Sequence, residues 1–206
     1  MKRIEIHPVN PQPRLIRQVA EQFRTGALVA LPTDASYVLA CHLEDRTAVD
    51  RMRQLRGIDE KHLLTLLCRD LSELSQYAQV DNRQFRFLKE WTPGAYTFIL
   101  PATREVPRRL MHPSRKTVGL RVPEAPIVQA LLAELGVPLL CASLILPGDE
   151  DPLSDPDDIE DRIGKRIDLL VDGGAGQLEP TSVIDVTGDE PVIQRVGLGP
   201  VEAMLR

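Results

Sequence analysis

Aromatic residues are scarce in this chain. Phe, Trp and Tyr make up 4% of its 206 residues, which argues against a row of stacking side chains as the means of holding nucleic acid. Long apolar runs are missing too. No stretch approaches the roughly 20 uncharged apolar residues of a membrane-spanning helix, and the opening Met-Lys-Arg-Ile-Glu-Ile-His-Pro lacks the apolar core of a signal peptide. Cys41, Cys68 and Cys141 stand far apart, each inside an apolar run, without the paired spacing of a zinc site. They read as buried, reduced thiols of a cytoplasmic protein. His7, His42, His62 and His112 are scattered, and only His62, beside Lys61 and ahead of an apolar run, invites a functional reading. There is no Gly-x-x-x-x-Gly-Lys phosphate loop, so a nucleotide would have to be held by arginines, hydroxyls and backbone groups. A nucleophile elbow and a compact His–carboxylate array are also missing.

What remains is an ordinary globular composition, 43% hydrophobic and 27% charged, enough for a substantial core in one domain spanning 1–206. The net charge of −5 is unevenly spread. Residues 1–121 hold 20 Lys and Arg against 13 Asp and Glu, whereas residues 122–206 hold 5 against 17. Arg51, Arg53, Arg56 and Lys61 form one basic cluster; Arg104, Arg108, Arg109, Arg115, Lys116 and Arg121 form another. Convergence of the two would create an anion-binding face. The eight carboxylates of residues 149–161 alternate with prolines and read as an exposed loop before a helix, not a metal site.

Strand and helix signals interleave throughout. Apolar runs at 2–6, 27–31, 38–41, 63–68, 95–100, 117–122, 138–144, 168–171, 182–186 and 192–196 read as strands. Helical periodicity covers 11–24, 45–55, 70–77, 82–91, 126–135 and 155–164, with Asp45 as an N-cap and Gly136 just past a C-terminus. The expectation is an α/β domain with a mixed sheet of about seven to nine strands, since some neighbours are too close for a helical crossover.

Residues 27–39 are the most telling stretch. Pro32 stops a strand, Thr33, Asp34, Ser36 and Tyr37 place three hydroxyls and a carboxylate within five residues, and a second strand follows. Such a cluster lines a ligand cleft or forms an ordinary turn; the spacing leaves both open. Arg121 sits mid-strand between Leu120 and Val122, where a charge is costly unless it meets an anion or a structural salt bridge. Arg195 poses the same question.

In register, several segments resemble the YrdC/YciO-type proteins over almost the whole chain. They are Pro32-Thr33-Asp34 with Tyr37 and Leu39; Arg56 at a helix end; Pro93-Gly94 with Thr97; Gly119-Leu120-Arg121-Val122-Pro123; Ser143 with Pro147-Gly148; Asp172-Gly173-Gly174; and Thr181-Ser182-Val183-Ile184-Asp185 followed by Arg195 and Gly197. Residues 68–75 and 105–110 are similar to the YciO branch. The resemblance implies a twisted open α/β sheet flanked by helices, with a concave basic cleft. In the synthase branch that cleft makes threonylcarbamoyl-adenylate from L-threonine, bicarbonate and ATP with Mg2+, releasing diphosphate, for modification of adenosine 37 in tRNA. A carbamate oxygen attacks the α-phosphate, which calls for positioning and neutralisation of phosphate charge more than for a protein nucleophile. By motif position, Thr33 and Arg121 would hold the threonine hydroxyl and carboxylate. Arg56, Ser143, Ser182 and Arg195 would hold phosphates and ribose, with Arg56 the catalytic candidate.

The sequence also departs from that pattern. The synthase branch has Lys-x-Arg where this chain has Gln54-Leu55-Arg56, and Thr-Ser-Ala-Asn where it has Ala142-Ser143-Leu144-Ile145. Each lost contact to a charged ligand is worth about 1.5–3 kcal/mol. The leading expectation is therefore an ATP- or AMP-binding, RNA-binding protein with weak or altered adenylate-forming activity. The alternatives are a competent synthase in which Lys61 or His62 replaces a missing contact, and a non-catalytic module for double-stranded RNA or tRNA. The loop at 149–161 is a candidate lid over the cleft.

Overall fold

The computed structural model describes residues 1–206. In chain order it contains β1 (Lys2–Glu5), α1 (Pro13–Arg24), β2 (Val29–Leu31), β3 (Val38–His42), α2 (Arg46–Arg56), β4 (Thr65–Leu67), α3 (Leu71–Tyr77), α4 (Asn82–Trp91), β5 (Tyr96–Pro101), β6 (Thr117–Arg121), α5 (Pro126–Leu135), β7 (Leu139–Ser143), α6 (Pro156–Ile163), β8 (Leu169–Asp172), β9 (Ser182–Asp185) and β10 (Val192–Arg195). The strands form one sheet of ten, in the order β1-β8-β2-β3-β7-β4-β6-β5-β9-β10. This exceeds the expected seven to nine because every one of the ten apolar runs joins the sheet, β2 and β4 through only three residues each.

The sheet is mixed, as expected. β8 runs parallel to β1 and β2, and β4–β6 and β5–β9 are also parallel. The β2–β3, β3–β7, β4–β7, β5–β6 and β9–β10 pairs are antiparallel. Local chemistry sets the helix boundaries. Asp45 accepts the Ala48 N–H at 2.8 Å to start α2, Asp81 and Gln84 close a reciprocal capping box on α4, and Asp155 caps α6.

The two sheet faces are covered unequally. One packs Leu66, Phe98, Leu120 and Leu140 against α2, α3, α4 and α6 through Met52, Leu55, Leu74, Leu88, Ile159 and Ile163. On the other, Val29, Leu31, Val38, Ala40 and Leu139 pack under α1 and α5 through Val19, Phe23, Val128 and Leu131. Each such side chain, fully buried, contributes about 1.5–3 kcal/mol. Neither α1 nor α5 reaches across β5 and β9, and this uncovered half is where a ligand can approach.

The three cysteines are buried and unpaired, and burial pushes the Cys141 thiol up to about 12. No helix is long and apolar enough to cross a membrane. The two basic clusters meet only in part: Arg53 and Lys61 share a hollow with Arg109, and the other members are dispersed. Arg51 is paired with Asp168 at 2.7 Å, Arg109 donates to Leu43 O, Arg104 projects into solvent, and Arg121 is buried. Three of the eight carboxylates of 149–161 are paired: Asp157 and Glu160 bind Arg3 at 2.8 and 2.7 Å, and Asp149 binds Arg162 at 2.6 Å. The segment is fastened further by the Leu153 N–H on Leu144 O at 2.9 Å.

Candidate functional site

A cavity of about 380 Å³ opens on the uncovered half of the sheet. Arg56, Lys61 and Arg195 supply its charge, His62 adds an imidazole, and no Asp or Glu lines it. Thr65, Thr97, Ser143 and Thr181 contribute hydroxyls, and Leu63, Ile99, Ile145 and Val183 the apolar surface. Strand alternation sets the floor: Thr65 lies opposite Gly119 and Cys141, and Thr97 opposite Val183. Thr97 and Thr181 share a hydrogen bond between their hydroxyls at 2.7 Å.

Arg56 is the last residue of α2. Gly57 follows at φ 63°, left-handed backbone that ends the helix. The guanidinium is held by main-chain oxygens, Nε donating to Ile145 O at 2.8 Å and Nη1 to Ser143 O at 2.6 Å. Arg195 is gripped the same way, with Nε and Nη2 on Thr181 O at 3.0 and 2.8 Å. A register shift between Ile193 and Arg195 lets this strand place Arg195 opposite Val183. Burial, and then the charge of Arg195, lowers the Arg56 pKa; burial lowers that of Arg195. Neither has a carboxylate partner, in contrast to Arg121 with Asp34. Two positive groups on one cavity, oriented by neutral carbonyls, are matched to an anion.

Thr33 and Arg121 form a second cluster. Arg121 is 3% exposed; its Nη2 donates to Thr33 Oγ1 at 3.0 Å and to the Asp34 carboxylate. The second Asp34 oxygen accepts the Glu124 N–H at 2.9 Å. Thr33 Oγ1 also accepts from Ala35 N at 3.0 Å and donates to Ser36 O at 2.8 Å. The polar stretch after β2 is thus a turn held by its own hydroxyl, and it closes on Arg121 as well. Arg121 Nε is buried without a hydrogen-bond partner. By strand parity Arg121 lies on the same face as Gly119, opposite Thr65 and Leu67, so both clusters stand on one side of the sheet.

The expected site residues therefore separate into groups. Arg56, Ser143 and Arg195 meet in the cavity; Thr33 and Arg121 meet beside it. Ser182 reaches neither. Fully buried, its hydroxyl donates to Gly199 O at 2.5 Å and accepts the Gly197 N–H at 2.9 Å, while its neighbours Thr181 and Val183 face the cavity. Thr97 and Thr181, which lie within the resembling segments, and Lys61, the replacement cation of the competent-synthase alternative, are cavity residues to which motif position assigned no binding role. The period-two alternation of β9 is the signal that distinguishes Thr181 from Ser182. Gln54 is exposed, away from the cavity, and Ile145 presents its side chain to it. Tyr37 is structural: it donates to Gly174 O at 2.7 Å, and burial raises its phenol to about 12.

A larger hollow of about 650 Å³ lies by residues 69–72 and 122–126, but its Arg69 and Lys89 are balanced by Asp70 and Glu124. It has no excess charge with which to select an anion.

Comparison with known proteins agrees with this fold. The Sua5/YciO/YrdC family model, described as telomere recombination, matches residues 21–197. YciO from Escherichia coli K12 is 52% identical over 97% of both chains. Its crystal structure superposes with a TM-score of 0.96, covering 99% of this chain and 100% of that one. A threonylcarbamoyl-AMP synthase from Halorhodospira halophila is 32% identical over 86% of this chain and 93% of its own. The structure of P. abyssi Sua5 complexed with L-threonine gives a TM-score of 0.87 at 26% identity, covering 96% of this chain and 58% of that one.

Proposed function

This chain belongs to the Sua5/YciO/YrdC family, which includes threonylcarbamoyl-AMP synthases, and from that premise we propose that it is a YciO-type nucleotide-binding protein whose cavity takes the phosphates of ATP or AMP. The observation that carries this reading is the pairing of Arg56 with Arg195 on one cavity without a carboxylate. The hydroxyls of Thr97, Ser143 and Thr181 complete a surface that hydrogen-bonds phosphate or ribose oxygens. The lining offers no carboxylate to a resident metal, and no group of three or more His, Cys, Asp or Glu is placed to hold one. Mg2+ enters the proposal only on the nucleotide's own phosphates.

The Thr33–Arg121 cluster is the proposed seat of a small amino acid such as L-threonine, which P. abyssi Sua5 binds. Arg121 Nε is a buried donor still to be used there. In a synthase-type reaction the threonine carbamate, formed with bicarbonate, attacks the α-phosphate and diphosphate leaves. This chain would contribute charge neutralisation from Arg56 and Arg195 and alignment from the hydroxyls. Ile145 withholds a side-chain hydrogen bond at the nucleotide, so the reaction is weak or altered. RNA, tRNA included, is a further proposed partner. A hollow sharing Lys61 with the cavity carries Arg46, Arg53 and Arg109 beside Asp50, Asp59 and Glu60, and backbone contacts there would weaken steeply with salt.

One observation favours a second reading, a fully competent threonylcarbamoyl-AMP synthase: Lys61 lines the cavity and can supply the cation that Gln54 does not. Diphosphate release from ATP, assayed with and without L-threonine and bicarbonate, separates the two. The first reading expects ATP binding by calorimetry with slow release, and a loss of ATP affinity of about tenfold or more in Arg56→Ala. Rapid release requiring both co-substrates establishes the second. ATP that neither binds nor turns over would leave only the non-catalytic RNA-binding alternative.

A further inference from the structure

His62 stands at the cavity with its backbone fixed and its ring free. Asp59 O accepts Arg53 Nη1 at 3.0 Å and the His62 N–H at 3.3 Å, and the Asp59 carboxylate accepts the Lys61 N–H at 2.9 Å. This tight turn after α2 puts the imidazole on the cavity wall with Arg56, Lys61 and Arg195. Resting on the nucleotide reading above, we propose that His62 is an anion-binding residue of this cavity, neutral in the free protein and protonated when a di- or triphosphate group is seated, so that phosphate capture takes up a proton.

The surrounding charges carry the argument. Arg53 and Arg56 come from α2, Lys61 from the same turn and Arg195 from β10; Asp59 opposes them, with Glu60 beside it in the adjoining hollow. Crowding by protein, and then the nearby Arg56 charge, holds His62 below the ordinary histidine value. A further permanent cation here would add repulsion to the empty cavity. A polyphosphate reverses the sign of the local field, favours the imidazolium and gains a charged N–H donor in return. The cavity thus carries less charge when empty and more when filled. Because the bound pKa lies above the free one, affinity rises as pH falls through the interval between them and levels off below it.

Calorimetry with inorganic diphosphate and with ATP, between pH 6 and 8 in buffers of different ionisation enthalpy, tests this on the wild type and on His62→Asn. Protonation of the ligand itself is common to both proteins and cancels in their difference. The wild type is expected to take up more protons than His62→Asn. Its affinity should gain about tenfold over the variant for each unit by which binding raises the His62 pKa. In wild-type NMR titrations the His62 ring should shift to higher pKa on adding diphosphate, a measurement that holds even if the variant misfolds. Equal proton uptake by two proteins that both bind, or an unmoved ring titration, overturns this inference and leaves the nucleotide reading standing. Failure of ATP and diphosphate to bind the wild type at any pH overturns both.

Discussion

Arg121 and Arg56 show two ways of keeping a guanidinium out of water. Arg121 is neutralised by Asp34, with side-chain exposures of 3% and 13%, and belongs to the fold as much as to the site. Removing one member of such a pair strands the other charge. Arg121→Met should lower unfolding free energy by about 3 kcal/mol in urea denaturation, and Asp34→Asn in the same chain should restore a large part of that loss. A double variant as unstable as Arg121→Met alone would show that the ion pair is not what Arg121 contributes. Arg56 and Arg195 have no such partner, and their carbonyl grips leave the positive charge uncompensated for a ligand.

At the scale of the element, the last turn of α2 delivers Arg56 to the cavity, and Gly57 makes that delivery sharp. Its left-handed φ is strained for any other residue, and an added Cβ would sit 3.0 Å from Pro147 Cγ. Gly57→Ala is therefore expected to cost about 1 kcal/mol and to weaken ATP binding in parallel, because the end of α2 and the Ser143–Ile145 segment would have to move apart. A variant that loses stability but keeps full ATP affinity would uncouple the turn from the site. Helix boundaries were partly legible in the sequence, because their signals are local: Asp45 opens α2 and Gly136 closes α5. Facing directions were less so. Ser182 sits in an apolar run buried on one side and half open on the other, and composition alone does not say which parity points to the cavity. The meeting of Thr33 with Arg121 joins residues 88 apart in the chain; only the family resemblance, not spacing, anticipated it.

For the molecule as a whole, the charge asymmetry along the chain becomes cross-links between its halves. Arg3 of β1 reaches Asp157, Glu160 and Asp172, and Arg51 of α2 reaches Asp168 ahead of β8. Burial alone would raise the Asp168 pKa, but the Arg51 hydrogen bond and the Leu28 N–H outweigh it and hold the carboxyl low. The Arg162 hydrogen bond does the same for Asp149. Groups depressed on folding stabilise above their unfolded pKa, about 3.9 for aspartate, and lose that contribution as pH falls through the folded value. The urea midpoint should fall below about pH 4, and Asp168→Asn should flatten that acid limb; an unchanged limb would assign acid sensitivity to other carboxylates. The grip on Arg56 has a consequence of its own. Ser143 and Ile145 hold this arginine through peptide oxygens, which every residue type possesses. The side chains at 143 and 145 are thus at liberty to drift over evolutionary time while the cationic hook stays in place, and a lineage can exchange one ligand for another here without first dismantling that hook.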